Sequence, residues 1–215
     1  MRIQLPMRRV MLFAALVALA LILSLPLRVV LGAVDGPLAA REARGSVWSG
    51  RLMEARIGPA ALGDLEARLA FLPLLTGQAR IEVERDSAAP DRFAGSFGFG
   101  SSRASAESVT GLVPVEGASG ALPVAALELT DVTVRFRDGA CEEAEGLVRA
   151  SLTATQPGLP ASLSGAVRCD RGALLLPLTA GGGGEGIALR IFGDGRWSAE
   201  LRMRGLATPA IQGRF

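Results

Sequence analysis

The chain of 215 residues contains no histidine and no tyrosine, and all 23 of its basic residues are arginine, so lysine is missing as well. Without histidine there can be no Ser-His-Asp or Cys-His nucleophile system and no imidazole-ligated metal. The run Gly181–Gly184 is not a phosphate loop, since no Lys-Ser/Thr follows it and no strand-to-helix junction is evident. Aromatic residues are scarce at 5%, and cysteine is limited to Cys141 and Cys169. Two thiols without histidine make an incomplete metal site. Acidic residues do gather at Asp138, Glu142, Glu143 and Glu145. A solvated hairpin tip accounts for that cluster better than paired-carboxylate catalysis. No catalytic, cofactor-binding or metal-binding residue is assigned, and nothing in the chain reads as an enzyme.

What the chain has in excess is apolar surface, 49% of its residues. Part of it is concentrated in VMLFAALVALALILSLPL, residues 10–27, which carries no charge. As a helix this run would span roughly 27 Å, close to one hydrocarbon core. Arg2, Arg8 and Arg9 precede it and Arg28 follows. The more basic flank stays cytoplasmic, so residues 1–9 are expected inside, 10–31 as a single transmembrane anchor, and 32–215 as the exported part. Pro26 falls near the far end, where breaking a helix costs least. A cleaved signal peptide with a site near VLGAVDG is the alternative, although the run exceeds a usual signal core. Either way the remainder is exported.

Setting aside Arg2, Arg8, Arg9 and Arg28 leaves 19 arginines against 21 acidic residues, about −2 for the exported part. The isoelectric point near 9.0 therefore comes from charges flanking the membrane segment. No basic binding face follows, and nucleic acid is not an expected partner. No small-molecule substrate is evident either. In an oxidising compartment Cys141 and Cys169 can pair, a link worth about 3–4 kcal/mol on the chain-restriction model. The other reading is two unrelated small core residues.

Beyond the anchor the dominant signal is period-2 alternation, one apolar face and one wet face. It is seen in QARIEVER (78–85), RFAGSFGFG (92–100) and DVTVRFRDG (131–139). The C-terminal third reads as hairpins turning at Asp170-Arg171-Gly172 and Gly193-Asp194-Gly195. In GSFGFG the close glycines suggest a bulge or a near backbone approach. The stretch GPAALGDLEARLAFLPLLTG is ambiguous between helix and strand, and ALPVAALEL could hold one helical turn. The expected fold is mainly β, a single N-terminal transmembrane helix followed by a curved, mostly antiparallel sheet. Such a sheet must curl, pair into a sandwich, or leave an apolar groove open. The loop LVPVEGASGALP at 112–123 is a candidate boundary between two lobes.

The stretch RGSVWSGRL, residues 44–52, reads as a strand with a large indole among small residues. Trp48 is most simply an anchor in the sheet core, with partner contact and lipid-interface contact as alternatives. Arg41, Arg44 and Arg51 nearby suit a solvated strand face, or contact with anionic headgroups.

Gly45-Ser46-Val47-Trp48-Ser49-Gly50 follows the anchor, and then come Leu74-Leu75-Thr76-Gly77 and the alternating Ala79–Val83. An anchor, a Gly-Ser/Thr-apolar-Trp-x-Gly segment, an apolar strand ending in Leu-Leu-x-Gly and an alternating strand together resemble protein N of the bacterial type II secretion system. Family members commonly open the strand before Leu-Leu-x-Gly with tryptophan; here Phe71 is the only aromatic nearby. The resemblance implies family-signature structural roles for Gly45, Trp48, Gly50, Leu74, Leu75 and Gly77. It also implies a non-enzymatic subunit in the bacterial inner membrane, its sheet domain periplasmic, and without a cofactor. Its partners would be other secretion-system subunits, the inner-membrane platform among them, engaged through sheet edges or an apolar face. The layout also resembles the AsmA/TamB-like envelope proteins, which would imply a β-groove that binds or hands over lipids.

Overall fold

The computed structural model describes residues 7–28, 38–57, 60–74, 76–85, 92–115, 124–153, 160–181, 185–203, 206–207 and 210–214. Helix α1 runs over Met7–Leu23, and Ser24 closes its last turn by donating its N–H and its hydroxyl to the Ala20 carbonyl. Apolar side chains at consecutive positions, Val10, Met11, Leu12 and Phe13, are all exposed, so α1 is apolar all round. It has 17 residues, and no helix among the described residues is long and apolar enough to cross a membrane. Residues 29–31 of the expected span, and Arg2, lie outside the described residues.

Among the described residues, those after Arg28 are strands and their connections apart from one short helix. The strands are β1 (Leu38–Ala39), β2 (Glu42–Ser46), β3 (Ser49–Ile57) and β4 (Ala60–Ala70), followed by helix α2 (Phe71–Leu74). Then come β5 (Ala79–Arg85), β6 (Phe93–Phe99), β7 (Arg103–Pro114), β8 (Val124–Arg137) and β9 (Ala140–Leu152). The chain finishes with β10 (Ser162–Ala166), β11 (Arg168–Asp170), β12 (Ala173–Thr179), β13 (Gly186–Ile191), β14 (Arg196–Met203), β15 (Leu206–Ala207) and β16 (Ile211–Arg214). All belong to one antiparallel sheet in which spatial order follows chain order. Pieces share a rank where a strand is interrupted: β1 and β2 both line β3, and β15 and β16 both line β14. The sheet is open. Residues 116–123, within the candidate lobe boundary, lie outside the described residues; β7 and β8 on either side pair from Arg103↔Arg137 to Pro114↔Ala126.

Alternation builds most of these strands. In β5 Val83 is buried while Glu82 and Glu84 face solvent. The hairpin turns fall where the Asp-Gly signals place them, with Arg137↔Ala140 closing β8–β9 and Asp170↔Ala173 closing β11–β12. The apolar register of the last hairpin is Ile187↔Leu201, Leu189↔Ala199 and Ile191↔Trp197. The ambiguous stretch at 58–77 is strand β4 followed by one helical turn. ALPVAALEL is strand from Val124 onward, not a helical turn.

Bulges supply the curvature. Glu54, Ser108 and Asp131 all have φ near +50°, an unfavourable conformation for residues with a side chain. Each is held by a side chain of the neighbouring strand that accepts its freed N–H. Asp64 Oδ1 takes the Glu54 N–H at 3.0 Å, Thr133 Oγ1 the Ser108 N–H at 3.1 Å, and Thr110 Oγ1 the Asp131 N–H at 3.0 Å. GSFGFG shows the near backbone approach and not a bulge of its own: between Ala94 and Ser96 the extra residue is on β7, at Ser108, and Gly95 backs onto Val109. Bulges bend strands and increase twist. The sheet curls enough to bring β4 against β7, although β5 and β6 separate them in the ladder. The concave side holds a continuous core that includes Leu52, Leu65, Phe93, Val109, Val148, Leu163 and Ile187.

Candidate functional site

The segment GSVWSG is a hairpin, not a continuous strand. Gly45 pairs with Gly50 and Ser46 with Ser49, leaving Val47-Trp48 as the two-residue turn. Such a turn normally faces water with polar residues. Here it is apolar because it sits beneath the chain leaving α1. The Val47 N–H donates to the Leu25 carbonyl at 3.1 Å, and Pro26 forms an antiparallel bridge with Ser46. The Val47 carbonyl accepts the Leu69 N–H from β4 at 3.0 Å, and Val47 is buried. Leu27 is buried against the hairpin: a Cβ at Gly50 would lie 2.5 Å from Leu27 Cδ2 and 2.9 Å from the Ser46 carbonyl oxygen. One at Gly45 would lie 2.6 Å from the Ser49 carbonyl oxygen. The two signature glycines thus permit close packing, in β2–β3 itself and beneath Leu27.

Trp48 is half-buried at the turn rather than central in the sheet. Its indole meets Phe71, the first residue of α2, with ring centroids 5.8 Å apart and planes at 53°. Pro73 and Leu74 complete α2, and the motif that follows is its cap. The Gly77 N–H donates to the Leu74 carbonyl at 3.0 Å and the Gln78 N–H to the Pro73 carbonyl at 3.0 Å, the two bonds of a Schellman motif. Gly77 has φ +76°, the left-handed conformation this cap requires. Thr76 adds a hydroxyl bond to the Pro73 carbonyl at 2.8 Å. Leu-Leu-Thr-Gly therefore ends a helical turn, where the sequence suggested the end of a strand. Leu75 lies outside the described residues. The Trp48–Phe71 contact thus links the first signature segment, 45–50, to the helical turn that carries Leu74 of the second.

Cys141 and Cys169 form a disulfide, with Cα atoms 5.5 Å apart. It ties the start of β9 to β11 beside two hairpin turns, where the Cys141 N–H also reaches the Gly172 carbonyl at 2.8 Å. The acidic residues nearby are partnered on the wet face: Glu142 with Arg137 at 3.1 Å, and Glu143 with Arg135. Glu145 is exposed. Arg135 also belongs to a chain of charges crossing five strands. Arg80 of β5 bonds Ser96 of β6 at 2.9 Å and Glu107 of β7 at 2.7 Å, and Arg135 of β8 links Glu107 to Glu143 of β9. Contact with Glu143 raises the Arg135 pKa further above the ordinary guanidinium value.

Arg41, Arg44 and Arg51 pair with Glu54 at 2.7 Å, Glu42 at 2.7 Å and Glu66 at 2.9 Å, all on exposed strand surface. The Arg51 hydrogen bond and charge hold the Glu66 carboxyl below its ordinary range. Arg8 and Arg9 fall in the first turn of α1, and Arg8 is exposed. A cleft of about 760 Å³ is lined by charged Arg51, Asp64, Glu66, Glu84 and Arg85 beside Leu62 and Leu65. Among the described residues no group of acidic or thiol side chains is arranged to hold a metal ion. Sequence reasoning missed Leu27, and Leu72 with its exposed side chain, because both owe their positions to the α1 exit and the α2 cap.

The family model of type II secretion system protein N matches residues 36–213. The chain belongs to that family. The match covers both signature segments, the disulfide and nearly the whole sheet, and it begins after α1. No curated protein and no solved structure matches the chain. The family is that of a secretion component, so other subunits of the type II machinery are plausible partners.

Proposed function

We propose that the chain is an inner-membrane-anchored, non-enzymatic subunit that assists export across the outer membrane by scaffolding. Its N-terminus is cytoplasmic, its sheet domain is periplasmic, and it contacts the secretion platform. The family match together with the uncharged run at 10–27 supports this reading.

The observation that carries the scaffolding role is the edge at β16, which among the described residues pairs only with β14. An open strand offers unpaired N–H and C=O groups to an incoming strand. At the other edge the Leu25–Leu27 segment occupies the side of β2 near Ser46. At the β14 side, β16 lies outermost, with Ile211 and Gln212 exposed. The charged lining of the cleft beside Leu62 and Leu65 favours scaffolding over a lipid-carrying groove there.

The test is purification of the full-length protein from native membranes in mild detergent, with mass spectrometry of proteins and lipids. Platform subunits should be recovered without stoichiometric phospholipid. Stoichiometric phospholipid with no such subunits would overturn the proposal in favour of lipid handling.

A further inference from the structure

The exposed apolar side chains beyond α1 are not scattered. Phe71 (57% exposed), Leu72 (75%) and Leu74 lie on α2, Phe99 ends β6, and Leu25 lies in the segment leaving α1. Strand direction places these groups together. The start of β3, the end of β4, the start of β5 and the end of β6 share one rim of an antiparallel meander. Phe99 pairs with Ala79, two residues after the Gly77 cap. Among the described residues of the sheet domain, the other large apolar side chains this exposed are Leu147 and Ile211, on β9 and β16.

The chain from α1 joins the sheet at this same rim. It is held there by the Leu25–Val47 hydrogen bond, by the Pro26–Ser46 bridge and by Leu27 packed over Gly50. Trp48, in the turn so held, touches Phe71. One apolar surface therefore continues from an all-round apolar helix onto the rim, with Leu25 as the joint. The exposure of α2 is not fraying, because its Schellman cap closes it. Aromatic and leucine side chains beside the exit of a lipid-embedded helix meet the headgroup region before any other solvent.

We propose that this rim seats on the lipid bilayer, with Phe71, Leu72 and Phe99 entering the headgroup–acyl boundary and Trp48 at headgroup level. The inference rests on the reading of an N-terminal membrane anchor, here confined to α1, since Leu25–Leu27 of the expected 10–31 span pack on the sheet. The domain would then stand with its rim on the membrane instead of swinging on a tether.

The experiment uses the full-length protein reconstituted into phosphatidylethanolamine–phosphatidylglycerol vesicles. Leu72→Cys and Leu147→Cys variants each carry a nitroxide, and accessibility to oxygen and to a water-soluble nickel complex is read by power saturation. Both positions are exposed, so neither substitution disturbs packing, and the unsubstituted chain should take no label because its cysteines are paired. The oxygen-to-nickel ratio should be several-fold higher at position 72 than at 147. A label at 72 as open to nickel as the one at 147, or shielded from both reagents, overturns the rim contact. An alkaline carbonate wash separates the two claims. Protein that stays in the membrane with a water-exposed position 72 keeps the anchor and loses the rim, whereas release by carbonate removes both.

Discussion

Trp48 of the first signature segment and Phe71, three residues before the second, have their rings in tilted contact at 5.8 Å. Aromatic pairs of this kind contribute about 0.5–1.5 kcal/mol beyond the area they bury. A double-mutant cycle with Trp48→Leu and Phe71→Ala should therefore give a coupling energy of about 0.5–1.5 kcal/mol in chemical denaturation. Additive single-mutant effects would mean that the two segments do not lean on each other.

Gly50 is where the chain from α1 presses on the hairpin. Gly50→Ala places a methyl group 2.5 Å from Leu27 Cδ2 and should destabilise by about 1–3 kcal/mol, the range for overpacking. Adding Leu27→Ala removes the clashing methyl, so the double variant should recover part of the loss, leaving the approach to the Ser46 carbonyl. No recovery would show that the backbone contact alone sets the cost.

Thr133 is buried although strand alternation places it on the wet face. It is there to accept the Ser108 N–H at the β7 bulge. Thr133→Val keeps the shape and removes the acceptor, which should cost about 0.5–1.5 kcal/mol for the lost hydrogen bond, since Ser108 itself is exposed. A denaturation midpoint unchanged by the substitution would show that the bulge holds without this bond.

Replacing Cys141 and Cys169 together with serine should lower stability by about 3–4 kcal/mol on the loop-entropy model. Alkylation of the native protein before reduction is the direct check. Labelled thiols at these positions would remove the cross-link from the account.

Two carboxyls are held below their ordinary range: Glu66 by Arg51, and Asp194 by the backbone N–H and guanidinium of Arg196. A lowered folded-state pKa adds stability that is present above the unfolded-state pKa and lost as the pH falls through the folded-state value. Unfolding followed from neutral to acidic pH should thus show a loss smaller in Glu66→Gln and Asp194→Asn than in the parent. Both groups are exposed, so added salt should shrink the difference.

Alternating segments such as β5 and β8 were legible because one face is dry, and the Asp-Gly hairpins because turn chemistry is local. β4 was not, since Ala60–Ala70 is rich in alanine and leucine and interrupted by Gly63, a composition that also suits helix. Thr133 and Ser96 are buried on the wet parity because each lies beneath a hydrogen-bond partner, the Ser108 N–H and the Arg80 guanidinium. Around the site, the signature segments could be found as words but not placed. Val47-Trp48 is a turn only because the chain from α1 lies over it, and Leu74 precedes a cap only because α2 must end before β5. Both facts come from tertiary contacts, to which period and propensity are blind.

The meander itself bears on how the chain is made. From β3 to β9 each strand bonds to its immediate predecessor, so contacts are short in sequence and each closes a small loop. A chain emerging N-terminus first can add strands in the order they appear, each new one pairing with a template already formed. The Cys141–Cys169 link can close only once β11 has emerged, by which time β3 to β9 can already be assembled. Oxidation then locks a sheet that has already chosen its register.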